Sequence, residues 1–216
     1  MIDRLMTIDR RIIFLGIAIA VAVPILNPIG LPISESTESR DFYDALQAVQ
    51  PGETIMFSFD YEADTRAELD PMSIAVWRDC LDRGIPIICL TNYPGGPGIV
   101  EDVYQQMEEE YGATYGEDFV FLGYNTDWQG TMLRMGESIR ATFPTDQYGT
   151  PTEDIPMLAN VDTYEDIPLL VSVAASALGE YWAIFAGGQY NQKVVTGGTA
   201  IQAILLYPYY NTGQIS

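Results

Sequence analysis

The 216-residue chain is 48% hydrophobic and carries 30 acidic against 10 basic residues, a net charge of −20. That length suits one α/β domain with an extra segment, and the acidic excess argues against a nucleic-acid partner, whose phosphates need clustered Lys and Arg. The absence of histidine removes Ser-His-Asp and Cys-His triads, histidine zinc sites and histidine proton shuttles.

Residues 1–11 form a polar head containing Arg4, Arg10 and Arg11. Residues 12–33 follow without a formal charge, punctuated by Pro24, Pro28 and Pro32. A helix rising about 1.5 Å per residue over such a stretch reaches across a hydrocarbon core of about 30 Å. It is therefore expected to be a transmembrane helix that contacts the lipid bilayer through 12–33. Three arginines precede it and only Arg40 follows closely, so the positive-inside rule places the N-terminus in the cytoplasm and the remainder outside. A cleavable signal peptide ending at Ala20-Val21-Ala22 is the competing reading. From Ser34 onward seven basic residues face 28 acidic ones, a balance that anionic headgroups repel. The acidic excess marks a soluble, self-repelling surface or a salt-rich habitat.

Residues 34–52 read as a spacer, SESTESR, and a short amphipathic helix over Asp41–Val49, ended by Pro51-Gly52. An exported α/β domain is expected over 53–216. Thr54–Asp60 is its first and central strand, mainly apolar and β-prone and running into one acidic residue. Asp70-Pro71 predicts a helix start, with Asp as N-cap and Pro at the first helical position, and Gly84 closes that helix. Ile85–Leu90 is the second strand. Asn92–Gly98 is a Gly/Pro-rich loop, a solvated connection or a contact surface. The next helix has Val100, Val103, Tyr104, Met107 and Tyr111 on one face and stops at Gly112. Phe119–Leu122 is the third strand, and a weaker helix is expected over Gly130–Arg140.

Residues 143–162 hold Pro144, Pro151 and Pro156 and predict an irregular excursion. Ile167–Ala174 is the fourth strand and Leu178–Ala186 a helix carrying Tyr181, Trp182 and Phe185. Lys193–Val195 is a short fifth strand. Thr196-Gly197-Gly198-Thr199 is expected as a turn into a helix over Ala200–Leu206, and the aromatics Tyr207, Tyr209 and Tyr210 follow. Strands alternating with helices predict a Rossmann-like, doubly wound, mostly parallel five-stranded sheet. Cys80 and Cys89 are expected as buried free thiols.

Several runs resemble a family of membrane-anchored prokaryotic proteins with no established activity. They are the opening Met1-Ile2-Asp3-Arg4-Leu5-Met6-Thr7-Ile8-Asp9-Arg10-Arg11, then Phe57-Ser58-Phe59-Asp60-Tyr61, Tyr115-Gly116-Glu117-Asp118 and Thr142-Phe143-Pro144-Thr145-Asp146. Members of that family continue into further apolar sequence, so the resemblance implies a short member or a piece of a longer protein.

In an open α/β sheet the ligand crevice lies at the carboxyl ends of the strands, where their order reverses. Asp60, Thr91, Asn92, Asp127 and Thr196, Gly197, Gly198, Thr199 are the candidate ligand-binding residues. The glycines could present backbone N–H groups to an anion or simply permit a tight turn. Asp60, Glu62 and Asp64 could hold Mg²⁺. With Thr91 after the second strand, this arrangement faintly resembles haloacid-dehalogenase-type phosphohydrolases. It departs from them in Glu62, in lacking an acidic pair after the fourth strand, and in offering only Lys193 as the lysine. Asp60 as the cap of a turn is the plainer reading. The leading expectation is a non-enzymatic binding or assembly subunit of a membrane complex without a cofactor, partnered by other membrane proteins or by itself. The alternative is a metal-dependent hydrolase using Asp60, Glu62 and Thr91.

Overall fold

A computed structural model describes residues 9–27 and 35–215. The chain divides into two compact units, Met1–Ser36 and Thr37–Ser216.

Within the first unit, helix α1 spans Arg10–Leu26. Asp9 caps it by accepting the Arg11 N–H, and Asn27 ends it three residues after Pro24. From Ile12 onward its residues are apolar all round, and the helix is exposed. The expected single helix over 12–33 is thus not what the described residues contain: α1 has 17 residues, which at about 1.5 Å each falls short of a hydrocarbon core of about 30 Å. Among the described residues no helix is long and apolar enough to cross a membrane. Residues 28–33 of that segment and 1–8 of the head lie outside the described residues, and Ala20-Val21-Ala22 lies inside α1.

The second unit is an α/β fold around an all-parallel sheet. Its strands are β1 (Ile55–Asp60), β2 (Ile87–Thr91), β3 (Phe119–Tyr124), β4 (Leu170–Ala174) and β5 (Val194–Gly198), in the order β3-β2-β1-β4-β5. β1 is central and wholly buried, so both its faces need cover. Strand alternation sends Phe57 and Phe59 to one side and Met56, Ser58 and Asp60 to the other.

The first side is packed by α2 (Thr37–Gln47), α3 (Arg66–Asp82) and α4 (Gly96–Tyr111). Trp77 of α3 sits edge-on to Phe57 and tilted against Phe59 and Phe119. α2 begins earlier than the amphipathic pattern suggests. Ala45, Leu46 and Val49 enter this core, which makes α2 part of the α/β unit rather than of a spacer. In α4, Val100, Val103, Tyr104 and Met107 are buried as read, whereas Tyr111 is exposed. Gly112 ends α4 at φ 68°, a left-handed conformation that glycine adopts without a Cβ penalty.

The second side is covered by α5 (Trp128–Arg134), α6 (Ile139–Thr142), α7 (Leu178–Trp182) and the excursion. The excursion folds into 3₁₀ turns at Thr152–Asp154 and Pro156–Leu158. Its Gln147 N–H donates to Phe121 O, which covers the edge of β3. The buried Asp146 carboxylate anchors it by accepting from Tyr115 OH and from the Tyr148 and Thr150 N–H groups. α7 runs on through a π-helical turn, Ala183–Gly187, to Tyr190. The last helix, α8 (Ala200–Asn211), holds Pro208 within it and incorporates the aromatic tail.

Three local expectations are corrected. Helix α3 starts at Arg66 and contains Pro71, because Leu69 is needed in the core and Arg66 pairs with Asp70 at i,i+4. The loop after β2 is shorter than 92–98, since Gly96, Pro97 and Gly98 form the first turn of α4. The expected helix over 130–140 is two short ones, α5 and α6. Cys80 and Cys89 are buried free thiols, and burial pushes both up, Cys80 to about 12.

Candidate functional site

The strand order reverses between β2 and β4 around β1, so the switch point lies at the carboxyl end of β1. Asp60 stands there and is fully buried. Its Oδ1 accepts the Asn92 N–H at 2.9 Å. Its Oδ2 accepts Ser58 Oγ at 2.6 Å and Trp182 Nε1 at 2.9 Å. Burial drives the Asp60 pKa upward against the opposing pull of these three donors.

Each partner has a local reason for its position. Ser58 precedes Asp60 by two residues and so shares its face. Asn92 follows β2 directly, and its backbone closes onto β1. Trp182 ends α7, which packs on β4 and β5 and reaches β1 through this side chain. Thr91 is also fully buried and donates from Oγ1 to Phe59 O. It is boxed in by α4, because a Cβ on Gly96 would stand 2.0 Å from Thr91 Oγ1.

A polar row crosses the sheet one level below Asp60. Ser58 is in register with Ser172 of β4, and Ser172 with Thr196 of β5. Ser58 is bonded to Asp60, while Ser172 Oγ and Thr196 Oγ1 are buried without a partner. The Asn92 side chain, only 6% exposed, also has neither polar atom hydrogen-bonded. Such groups carry a desolvation cost of about 1–3 kcal/mol each.

The structure draws Asp60, Asn92 and Thr91 together and spreads the other candidates. Glu62 and Asp64 are exposed. Asp127 caps α5 by accepting the Gly130 N–H and pairs with Arg134 at 3.0 Å. Thr196, Gly197 and Gly198 are not a turn but the body of β5, in register with Ser172, Val173 and Ala174. A Cβ on Gly198 would come within 3.3 Å of Ala174 O, so close packing accounts for that glycine. Thr199 caps α8 through Gln202 N–H, and Glu68 Oε1 accepts the Ala200 N–H at 2.8 Å. A carboxylate thus already occupies the end of α8 where an anion was expected. In register Gly198 lies two strands from Asp60, about 10 Å away at ordinary strand spacing.

Sequence reading passed over Ser58 and Trp182. The i−2 spacing could have singled out Ser58. Trp182 is 122 residues distant, and no local pattern connects it to Asp60.

The donor set does not fit Mg²⁺. Three hydrogens point at the Asp60 oxygens, and Thr91 is committed to the backbone. Among the described residues no group of three His, Cys, Asp or Glu side chains is placed to hold a metal ion.

Comparison with protein-family models, curated proteins and solved structures finds nothing that matches this chain.

Proposed function

We propose that this chain is a non-enzymatic binding or assembly subunit of a membrane complex. In this reading the N-terminal segment holds it to the bilayer, with the N-terminus cytoplasmic and the α/β unit extracytoplasmic. Its partners are other membrane proteins or further copies of itself. The observation that carries the reading is α8. Ile201, Ile204 and Leu205 are 80%, 68% and 50% exposed, and with Pro208 they occupy i, i+3, i+4 and i+7, one stripe of a helix. From Val194 to Ser216 there is no charged residue, in a chain that is otherwise strongly acidic. An uncharged apolar stripe of this kind favours a protein contact over solvent.

Helix α1, apolar on every side from Ile12 onward, supports the same reading, since such helices are covered by protein or lipid. The resemblance of the opening residues to membrane-anchored prokaryotic proteins agrees with it. The hydrolase alternative draws less support, because its nucleophile would be a carboxylate without solvent access.

Co-purification from detergent-solubilised membranes tests the reading. A stable partner recovered with the wild type and lost with Ile204→Glu is expected. A chain that purifies as a monomer in both forms contradicts it. Protease added to intact spheroplasts tests the orientation separately: digestion of the α/β unit is expected, and full protection overturns it.

A further inference from the structure

At the amino edge of β5, away from Asp60, a cleft of about 750 Å³ opens between the end of the α7 segment and the residues after α8. Its volume falls within the range of about 300–1,000 Å³ usual for small-molecule sites. We propose that this cleft binds a small organic carboxylate with an apolar body, whose charge is met by Lys193.

The charge pattern carries the inference. The chain has 30 acidic residues and one lysine, yet among the described residues no Asp or Glu lines the cleft and the lysine does. The one charged side chain of the lining is thus a cation, on a chain of net charge −20. Ile184, Tyr209 and Ile215 supply apolar wall, and Asn191 and Gln214 add uncharged polar groups. A single ammonium without an arginine fork is a point charge suited to one carboxylate.

The backbone that delivers Lys193 is unusual. A π-helical turn precedes it, a feature frequent at functional sites. Asn191 then takes φ 55°, the only positive φ outside glycine among the described residues, a left-handed conformation that Asn adopts more readily than other side chains. Buried Gln192 locks the turn, donating from Nε2 to Ile167 O at 2.9 Å while its N–H donates to Ala186 O. Lys193 therefore follows directly on a turn held by hydrogen bonds to two other segments.

Because Lys193 is the only lysine, reductive ¹³C-dimethylation of the full chain in detergent gives one lysine NMR signal beside that of the N-terminus. Titration with hexanoate is expected to shift the Lys193 signal saturably, with Kd on the order of 1 mM or tighter. Hexanol and inorganic phosphate are expected to leave it nearly unmoved. In Lys193→Gln, which alters an exposed side chain, saturation-transfer signals of hexanoate should weaken at least tenfold. Three results each overturn the proposal: no saturable shift, equal shifts with hexanol or phosphate, or undiminished hexanoate binding to Lys193→Gln.

Discussion

Trp182 Nε1 donates to Asp60 Oδ2 at 2.9 Å, joining the end of α7 to the end of the central strand. This bond places α7 over the switch point and supplies one of the three donors that make a fully buried carboxylate tolerable. Trp182→Phe keeps most of the ring and removes the donor. It is expected to destabilise the unit by about 1–3 kcal/mol, measured as a shift in urea midpoint without a change in slope. The same variant should move the Asp60 pKa further upward.

The pH dependence of stability follows from that carboxyl. Burial raises the Asp60 pKa above its ordinary value, so between the two values the native state binds more protons than the unfolded chain. Its contribution is full below the ordinary value and is lost as pH rises through the native one. Asp166, held low by the Asp162 and Thr163 N–H groups, acts in the opposite sense and loses its contribution as pH falls. The Asp60 component is therefore isolated by difference. The stability advantage of wild type over Asp60→Asn should be greatest below the ordinary carboxyl pKa of 3.8 and decline as pH rises from there. Urea titrations at several pH values measure it, and a flat difference contradicts the assignment.

Gly96 and Gly98 give a matched pair at the start of α4. A Cβ at 96 meets Thr91 Oγ1, while a Cβ at 98 meets nothing within 4 Å. Gly96→Ala should cost about 1–3 kcal/mol, as overpacking does. Gly98→Ala should be neutral or stabilising by up to about 1 kcal/mol. Thermal melts of the two variants compare them directly.

Pro71 is exposed and lies inside α3, where it withholds an N–H from the Ala67 carbonyl. Pro71→Ala is expected to raise stability by about 1–3 kcal/mol, read from the same denaturation curves.

The Asp70-Pro71 pair also shows where sequence reading reached its limit. It carries a strong local signal for a helix start, yet Leu69 and the Arg66–Asp70 pair extend the helix upstream, a tertiary demand that no cap pattern contains. Thr196-Gly197-Gly198 reads as a turn because glycine is rare inside strands, but β4 pairs with all three residues. The π turn at 183–187 is invisible to a 3.6-residue period. The first four strands were legible, because each is a short, mainly apolar run bounded by turn residues, and their alternation with helices sufficed for a parallel sheet. The position of Asp60 at the edge of the central strand was legible for the same reason. Its three donors were not, since one comes from 122 residues away.

The assembly role rests on the exposed stripe of α8, and site-specific photocrosslinking in native membranes tests it most directly. A photoreactive residue at position 204 should give a discrete crosslinked species, to a second copy or to another protein. The same residue at Glu109, on the exposed acidic face of α4, should give none. Crosslinking equally weak or equally diffuse from both positions would contradict the account.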